Sequence, residues 1–496
     1  MLYDDECKRI RIFHTHIEIS PYDLGENVTF EHTLSTWIEA EHDYKPIAYH
    51  WDEGSKTIFI PRGINQIYLE KTFRSTPVMM RDADEVIYVK GVHTTKDPRD
   101  RIQEEAVKFL TCQEEFTKVS KYSQQALTLD TGDGKTYSCI SAIVYYGMRA
   151  MIITHRKSIR MEWINEFLDK STVTRDQMII VDGSDGIKDI MKEKMPKWDY
   201  YFVNHQTLHS YGSTYGWKAV RDFFQHTGVG IKVYDEAHRC FEDILKVDMF
   251  SDTKKTFYLT ANFFRNDDRE NRIFKKAFSS VYQFGEETKT YKEKRKHIIY
   301  VPCLYRSNPS PMMINHIEGG IYRFSVYRFS YYALHADKYE TMRRVFLGTF
   351  ELASRLEGRI LITMARIPDN EMVRDWLITE YSDMDKTIGI INSERTQEEN
   401  EYVKQHADII CTTIKSCGEG LNIKGLRCII NMEPFSAKIT ANQLTGRLRE
   451  YAPDKDTYIF DLIDIAFPSC KSQFERKKKY LAEKKCKEVQ VRNVVV

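Results

Sequence analysis

Leu127-Thr-Leu-Asp-Thr131-Gly132-Asp133-Gly134-Lys135-Thr136 is the stretch on which the reading of this chain turns. It follows an apolar segment and leads into one with helical spacing, Ile140, Ile143 and Val144. Glycines let the backbone bend so that successive N–H groups converge, and a helix starting there adds its positive dipole end. Such a loop suits phosphate oxygens. Lys135 is placed to reach β- and γ-phosphates, and the Thr136 hydroxyl to ligate Mg²⁺. The usual pattern opens on a glycine with four residues between it and Gly-Lys-Thr, and here that position is Leu129. Taken alone, the stretch therefore also reads as a chance Thr-Gly-x-Gly-Lys-Thr.

On either side of it, short apolar runs alternate with helical segments. Met151–Thr154, Met178–Val181, Tyr200–Val203 and Ile231–Tyr234 read as buried strands, and Ser158 to Leu168 as a helix. The alternation returns at Arg359–Thr363, Ile388–Ile391, Asp408–Cys411, Cys428–Asn431 and Tyr458–Asp461. Continuous apolar strands separated by helices indicate a parallel α/β sheet covered on both faces. Two such domains in tandem are expected, 96–285 and 286–470, with the join near 280–300. Residues 1–95 hold 10 Lys/Arg against 16 Asp/Glu and many aromatic and β-branched residues, which reads as an acidic α+β accessory domain. Residues 471–496 carry nine Lys/Arg against three acids and read as a basic, helical tail.

The 496 residues carry 73 Lys+Arg against 72 Asp+Glu, so any nucleic-acid binding must come from local charge asymmetry and not from bulk charge. Apolar residues at 42% and charged residues at 29% argue against a disordered, fibrous or membrane protein. No apolar run approaches the ~20 residues of a membrane-spanning helix, and the N-terminus has no secretory pattern. The ten cysteines are scattered with no Cys-x-x-Cys pair, so no zinc site is expected and reduced thiols in the cytoplasm are.

Ile231-Lys-Val-Tyr-Asp235-Glu236-Ala237-His238 is an apolar strand ending in two acids. Strand tips at the carboxyl edge of a parallel sheet are where ligands bind. Asp235 would hold Mg²⁺ and Glu236 polarise an attacking water. An ordinary acidic loop is the competing reading, and the phosphate loop 100 residues upstream makes the functional one stronger. Gln443-Leu-Thr-Gly-Arg447-Leu-Arg449 reads either as a solvated helical face or as a source of a cationic finger for a transferring phosphoryl group. Upstream, Gly418 and Gly420 mark close backbone approach to a ligand or partner domain.

In order and spacing these pieces resemble a superfamily 2 DEAH-type helicase or translocase over about residues 96–465, most like DNA helicases of phages and large viruses. That resemblance implies two RecA-like domains clamping ATP–Mg²⁺. Gln103 resembles the adenine-reading glutamine, and Thr131 to Thr136 resembles motif I, with Thr131, Gly132, Asp133 and Gly134 around the phosphates. Asp235-Glu236-Ala237-His238 resembles motif II. Arg156 and Thr207 resemble nucleic-acid-facing positions. Leu259-Thr260-Ala261-Asn262 resembles motif III, with Asn262 departing from its final residue. Thr412 through Asn422 resembles motif V, which implies a nucleic-acid contact for Thr412 and nucleotide contacts for Gly420 and Asn422. Gln443 through Arg449 resembles motif VI, with Gln443 at the nucleotide and Arg447 or Arg449 as finger. Glu450 stands where the second arginine usually sits.

The expectation is an ATP-dependent DNA helicase acting on single-stranded, forked or branched DNA, with replication or recombination proteins as further partners. It would work in the cytoplasm, the host's if the chain is phage-encoded. An RNA helicase or transcript-release motor, a restriction-type translocase subunit and an ATPase-silent scaffold are the competing readings. Tyr322 to Tyr332, where aromatics interleave with Arg323 and Arg328, suits either base stacking or packing at a domain boundary.

Overall fold

The computed structural model describes the chain except residues 1–6, 39–41, 75, 130–131, 261–267, 286–287, 293–296, 318–320, 336–339, 418–422, 436, 449–454, 484–485 and 489–496. It divides into two compact units, Met1–Glu293 and Lys294–Val496.

The first unit holds a seven-stranded, fully parallel sheet. Its order is Met178–Val181, Tyr200–Asn204, Ala150–Thr154, Ile231–Asp235, Lys255–Thr260, Gln124–Thr128 and Tyr282–Gly285. The strands are apolar because both faces are covered. Leu127, Ile152, Phe202, Val233 and Phe257 enter one core cluster, and Ala126, Ile153, Val203, Tyr234 and Tyr258 the other. The pairing register aligns Thr128 with Thr260 and Asp235 with Leu259, so three strand ends finish level.

The N-terminal residues form a five-stranded mixed sheet in the order His50–Asp52, Thr57–Pro61, His16–Ser20, Arg9–Ile12, Val78–Met80. It shares one apolar cluster with the parallel sheet's helices, in which Ile17, Ile60 and Phe73 join Phe241, Phe250 and Phe278. Polar ties reinforce that contact. Asp252 accepts from the Thr15 and His14 backbone N–H groups at 3.2 and 2.9 Å, and Arg221 donates to the buried Glu18 at 2.8 Å. The accessory domain expected at 1–95 is thus continuous in core with the parallel sheet, because its strands lack enough surface of their own to close around.

The second unit repeats the arrangement. Its parallel sheet runs Ile388–Ile391, Ile409–Thr413, Arg359–Met364, Leu426–Asn431, Thr457–Asp464, Ile298–Tyr305, Lys487–Glu488. Counted in chain order and apart from an inserted hairpin (Ile314–Ile317 with Ile321–Phe324), both sheets read 3-4-2-5-6-1-7. Pro302 lies inside the strand Ile298–Tyr305, where a missing N–H would normally break pairing. Among the described residues the neighbour Lys487–Glu488 pairs with Ile299 and Tyr300 and not with Pro302, which suits a residue without an N–H.

The helix Pro468–Glu483 spans the expected start of the basic tail at 471 and packs on this sheet through Phe474 and Leu481. Lys477, one of the tail's cations, is buried at 4% exposure and donates to both oxygens of Asp461 at 2.8 and 2.9 Å. The aromatics at 324 and 329 also pack inward, against Phe467, while Tyr322 and Tyr327 are exposed.

Candidate functional site

The phosphate loop leaves the strand Gln124–Thr128 and ends on Gly134, which caps the helix Lys135–Tyr146 in the left-handed region at φ +88°. Gly132 is also left-handed, at φ +92°. Side chains other than glycine are strained there. The Leu129 side chain is fully buried and its carbonyl accepts from Lys135 Nζ at 2.8 Å. The buried side chain gives a reason for the departure at this position, since the leucine anchors the start of the loop in the core. Thr131 lies outside the described residues. Asp133 and Lys135 are buried, and Thr136 is half-buried one residue into the helix.

Gln103 comes from the helix Arg101–Leu110 and lies against Gly134 so closely that a Cβ there would collide with its amide. Its Oε1 accepts from the Arg99 backbone N–H at 2.7 Å, and Arg99 donates to the Gly132 carbonyl at 3.2 Å. The helix bearing Gln103 is therefore stitched to the phosphate loop.

The acidic pair follows the strand Ile231–Asp235, two strands over from the phosphate-loop strand, with Lys255–Thr260 between them. Asp235 Oδ2 accepts from Trp163 Nε1 at 2.8 Å, and Oδ1 accepts from the Glu236 backbone N–H at 2.9 Å. Glu236 sits at φ +48°, an uncommon conformation for a non-glycine residue. Burial and the adjacent Glu236 carboxylate push the Asp235 carboxyl up. Burial also pushes Glu236 up, but the charges of Lys135 and Arg239 outweigh it and leave Glu236 below its ordinary value. Two carboxyls with opposed shifts are a mark of divided roles. The oxygen donors Thr136 and Asp235 are of the hard type that suits Mg²⁺, and a cation there would relieve the buried Asp235 charge.

His238 Nδ1 lies 2.8 Å from Thr260 Oγ1, at the end of the intervening strand. Burial, mainly, holds its imidazole down to about 4, so it is neutral at ordinary pH. Asn262 lies outside the described residues.

Arg156 is exposed at the N-terminus of the helix Lys157–Lys170, and Thr207 is half-buried in the helix His205–Tyr215. Burial and the nearby Arg239 charge lower the Arg156 pKa. No motif marks Arg239 in the sequence, and its charge acts on Arg156 to make the two a basic pair.

In the second unit Arg447 is half-buried in the turn after the helix Lys438–Thr445. Thr412 is fully buried in its strand, with its hydroxyl turned to backbone. Gly420, Asn422 and Arg449 lie outside the described residues, as does the side chain of Gln443. The described residues bring together Gln103, Gly132, Asp133, Gly134, Lys135, Thr136, Asp235 and Glu236 in the first unit.

Residues 96–265 match the family model described as Type III restriction enzyme, res subunit. No curated protein sequence matches. Among solved structures, S. cerevisiae Dbp5 bound to RNA and ADP BeF3 aligns at TM-score 0.51 and 14% identity, over 78% of this chain and 89% of that one. A fragment of a putative HsdR subunit of a type I restriction enzyme from Vibrio vulnificus YJ016 aligns at TM-score 0.48 and 13% identity, over 76% and 65%. T4 UvsW aligns at TM-score 0.36 and 14% identity, over 98% and 99%. The fold is that of tandem RecA-like domains, and no helix among the described residues is long and apolar enough to cross a membrane.

Proposed function

We propose that this chain, which carries a superfamily 2 helicase-type ATPase domain over residues 96–265, is an ATP-dependent DNA helicase or translocase coupling hydrolysis to unwinding or branch migration. The observation that carries the reading is the meeting of Lys135 with Asp235 and Glu236 on one edge of one parallel sheet. The choice of DNA over RNA leans on the matching family, which is named for a restriction enzyme.

Lys135 exchanges the Leu129 carbonyl for β- and γ-phosphate oxygens, which are stronger, charge-assisted acceptors. Thr136 and Asp235 would hold Mg²⁺, which when bound neutralises charge on the phosphate oxygens. Glu236, kept ionised by the cations around it, orients the attacking water and accepts its proton. Gln103 braces the loop and reads adenine. Gly420, Asn422, Gln443, Arg447 and Arg449 are the second unit's nucleotide residues in this proposal, with Arg447 as the finger. His238 and Thr260 carry the change at the phosphates to the neighbouring strand. Arg156, Arg239 and Thr207 grip the nucleic-acid backbone.

The test is ATPase stimulation by single-stranded DNA, forked DNA and RNA at one stated salt concentration. The reading expects the strongest stimulation by forked DNA. Stimulation by RNA alone would replace it with an RNA motor.

A further inference from the structure

His205 opens the helix His205–Tyr215 and is 2% exposed, with both ring nitrogens buried and without a hydrogen-bond partner among the described residues. A buried imidazole in that state forgoes about 1–3 kcal/mol that a partner would return, so the site calls for one. Tyr234 stacks on its face at 5.6 Å between ring centroids and leaves the ring edge for a ligand. One ring nitrogen, the Cys240 sulfur and an Asp243 carboxylate oxygen all lie within 4.8 Å of one another. His209 is four residues on from His205 in the same helix, and its Nε2 is 3.9 Å from Asp243. Two histidines at that spacing share a helix face, an arrangement suited to one metal ion. Cys240 caps the helix Phe241–Met249 and Asp243 lies in its first turn, so the second pair of donors also comes from one short segment.

We propose that His205, Cys240 and Asp243, with His209 in the fourth position, bind a divalent transition cation of the zinc type. The donor set is two imidazoles, a thiol and a carboxylate. Nitrogen and sulfur donors select zinc-like ions over Mg²⁺, which takes oxygen. Tetrahedral bonds of about 2.0–2.3 Å put ligand atoms roughly 3.4–3.8 Å apart, so the three donors need close by about 1 Å. The ion would tie the segment that follows Asp235 and Glu236 to the helix that carries Thr207. This role is separate from the Mg²⁺ of hydrolysis.

The test uses the full chain, stripped with a chelator and titrated with Co²⁺. The proposal expects one equivalent to bind with a thiolate-to-cobalt charge-transfer band, displaced by Zn²⁺ and not by Mg²⁺. Cys240→Ser should lose the band, and Asp243→Asn should weaken binding about tenfold or more. Zn²⁺ should raise the melting temperature of the wild type and not that of Cys240→Ser. A wild-type protein without the band would overturn the proposal. So would a band that persists in a folded Cys240→Ser protein, since it would belong to another cysteine.

Discussion

His238, in the turn after the acidic pair, and Thr260, at the end of the neighbouring strand Lys255–Thr260 and within the segment that resembles motif III, meet at 2.8 Å. A neutral imidazole and a hydroxyl form a bond that costs little to break and remake, as a relay between hydrolysis and movement requires. His238→Ala should lower stability by about 0.5–1.5 kcal/mol. It should also reduce strand separation per ATP consumed more than it reduces hydrolysis itself. Parallel ATPase and unwinding assays check this; an equal fall in both would deny the relay.

Gln103 lies against the phosphate loop, so shortening it should affect nucleotide choice before chemistry. Gln103→Ala is expected to raise KM for ATP about tenfold, the loss of roughly one good hydrogen bond, and to narrow the preference for ATP over GTP. Competition of GTP against ATP measures it. An unchanged preference would leave Gln103 a purely structural brace.

Glu18 ties the N-terminal sheet to Arg221 within the first unit. Burial pushes its carboxyl up, but His16, Arg221 and Arg11 outweigh burial and bring it down from 4.5 to about 2. A carboxyl depressed in the folded state adds stability above its unfolded pKa. That stability is lost as pH falls from about 4.5 to about 2. The contribution at neutral pH is about 3 kcal/mol. Glu18→Gln should therefore be less stable than the wild type at neutral pH, with the gap closing at acid pH. Denaturant melts at several pH values test it, and a gap that persists to pH about 2 would contradict it.

Lys477 separates structural from nucleic-acid-binding charge in the C-terminal helix. Lys477→Ala should cost about 3–5 kcal/mol because it strands the buried Asp461 carboxylate. Replacing the exposed Lys471, Arg476 and Lys479 by glutamate should leave the second unit folded and flatten the salt dependence of DNA binding, by up to about 0.9 in slope for each phosphate no longer neutralised. An unchanged slope would make the helix a structural element alone.

Much of this was legible in the sequence because both parallel sheets are buried on two faces. Met178–Val181 and Ile388–Ile391 have the bounds their apolar runs suggest, and Tyr200–Asn204 and Ile231–Asp235 differ by one residue. The strands Gln124–Thr128, Lys255–Thr260 and Ile298–Tyr305 were harder to read, since their polar residues and Pro302 interrupt the apolar pattern. Lys135, Asp235 and Glu236 stand out because local spacing marks them. Trp163, Arg239 and the pairing of His238 with Thr260 do not, since only the strand order brings them to the site. The His205, Cys240 and Asp243 cluster is hidden for the same reason: its donors come from helices more than 30 residues apart, with no short-spaced signature. Lys477 reads as a solvated charge until the helix is seen to place it over Phe435 and Asp461.

Lys135 and Glu236 are proposed above to run a nucleic-acid-stimulated ATPase. The direct measurement is steady-state ATP hydrolysis with and without forked DNA for the wild type, Lys135→Ala and Glu236→Gln, alongside ATP binding. Forked DNA should stimulate turnover in the wild type. Lys135→Ala should lose turnover together with tight binding, and Glu236→Gln should lose turnover by orders of magnitude while still binding ATP. Wild-type rates of hydrolysis in both variants would contradict it.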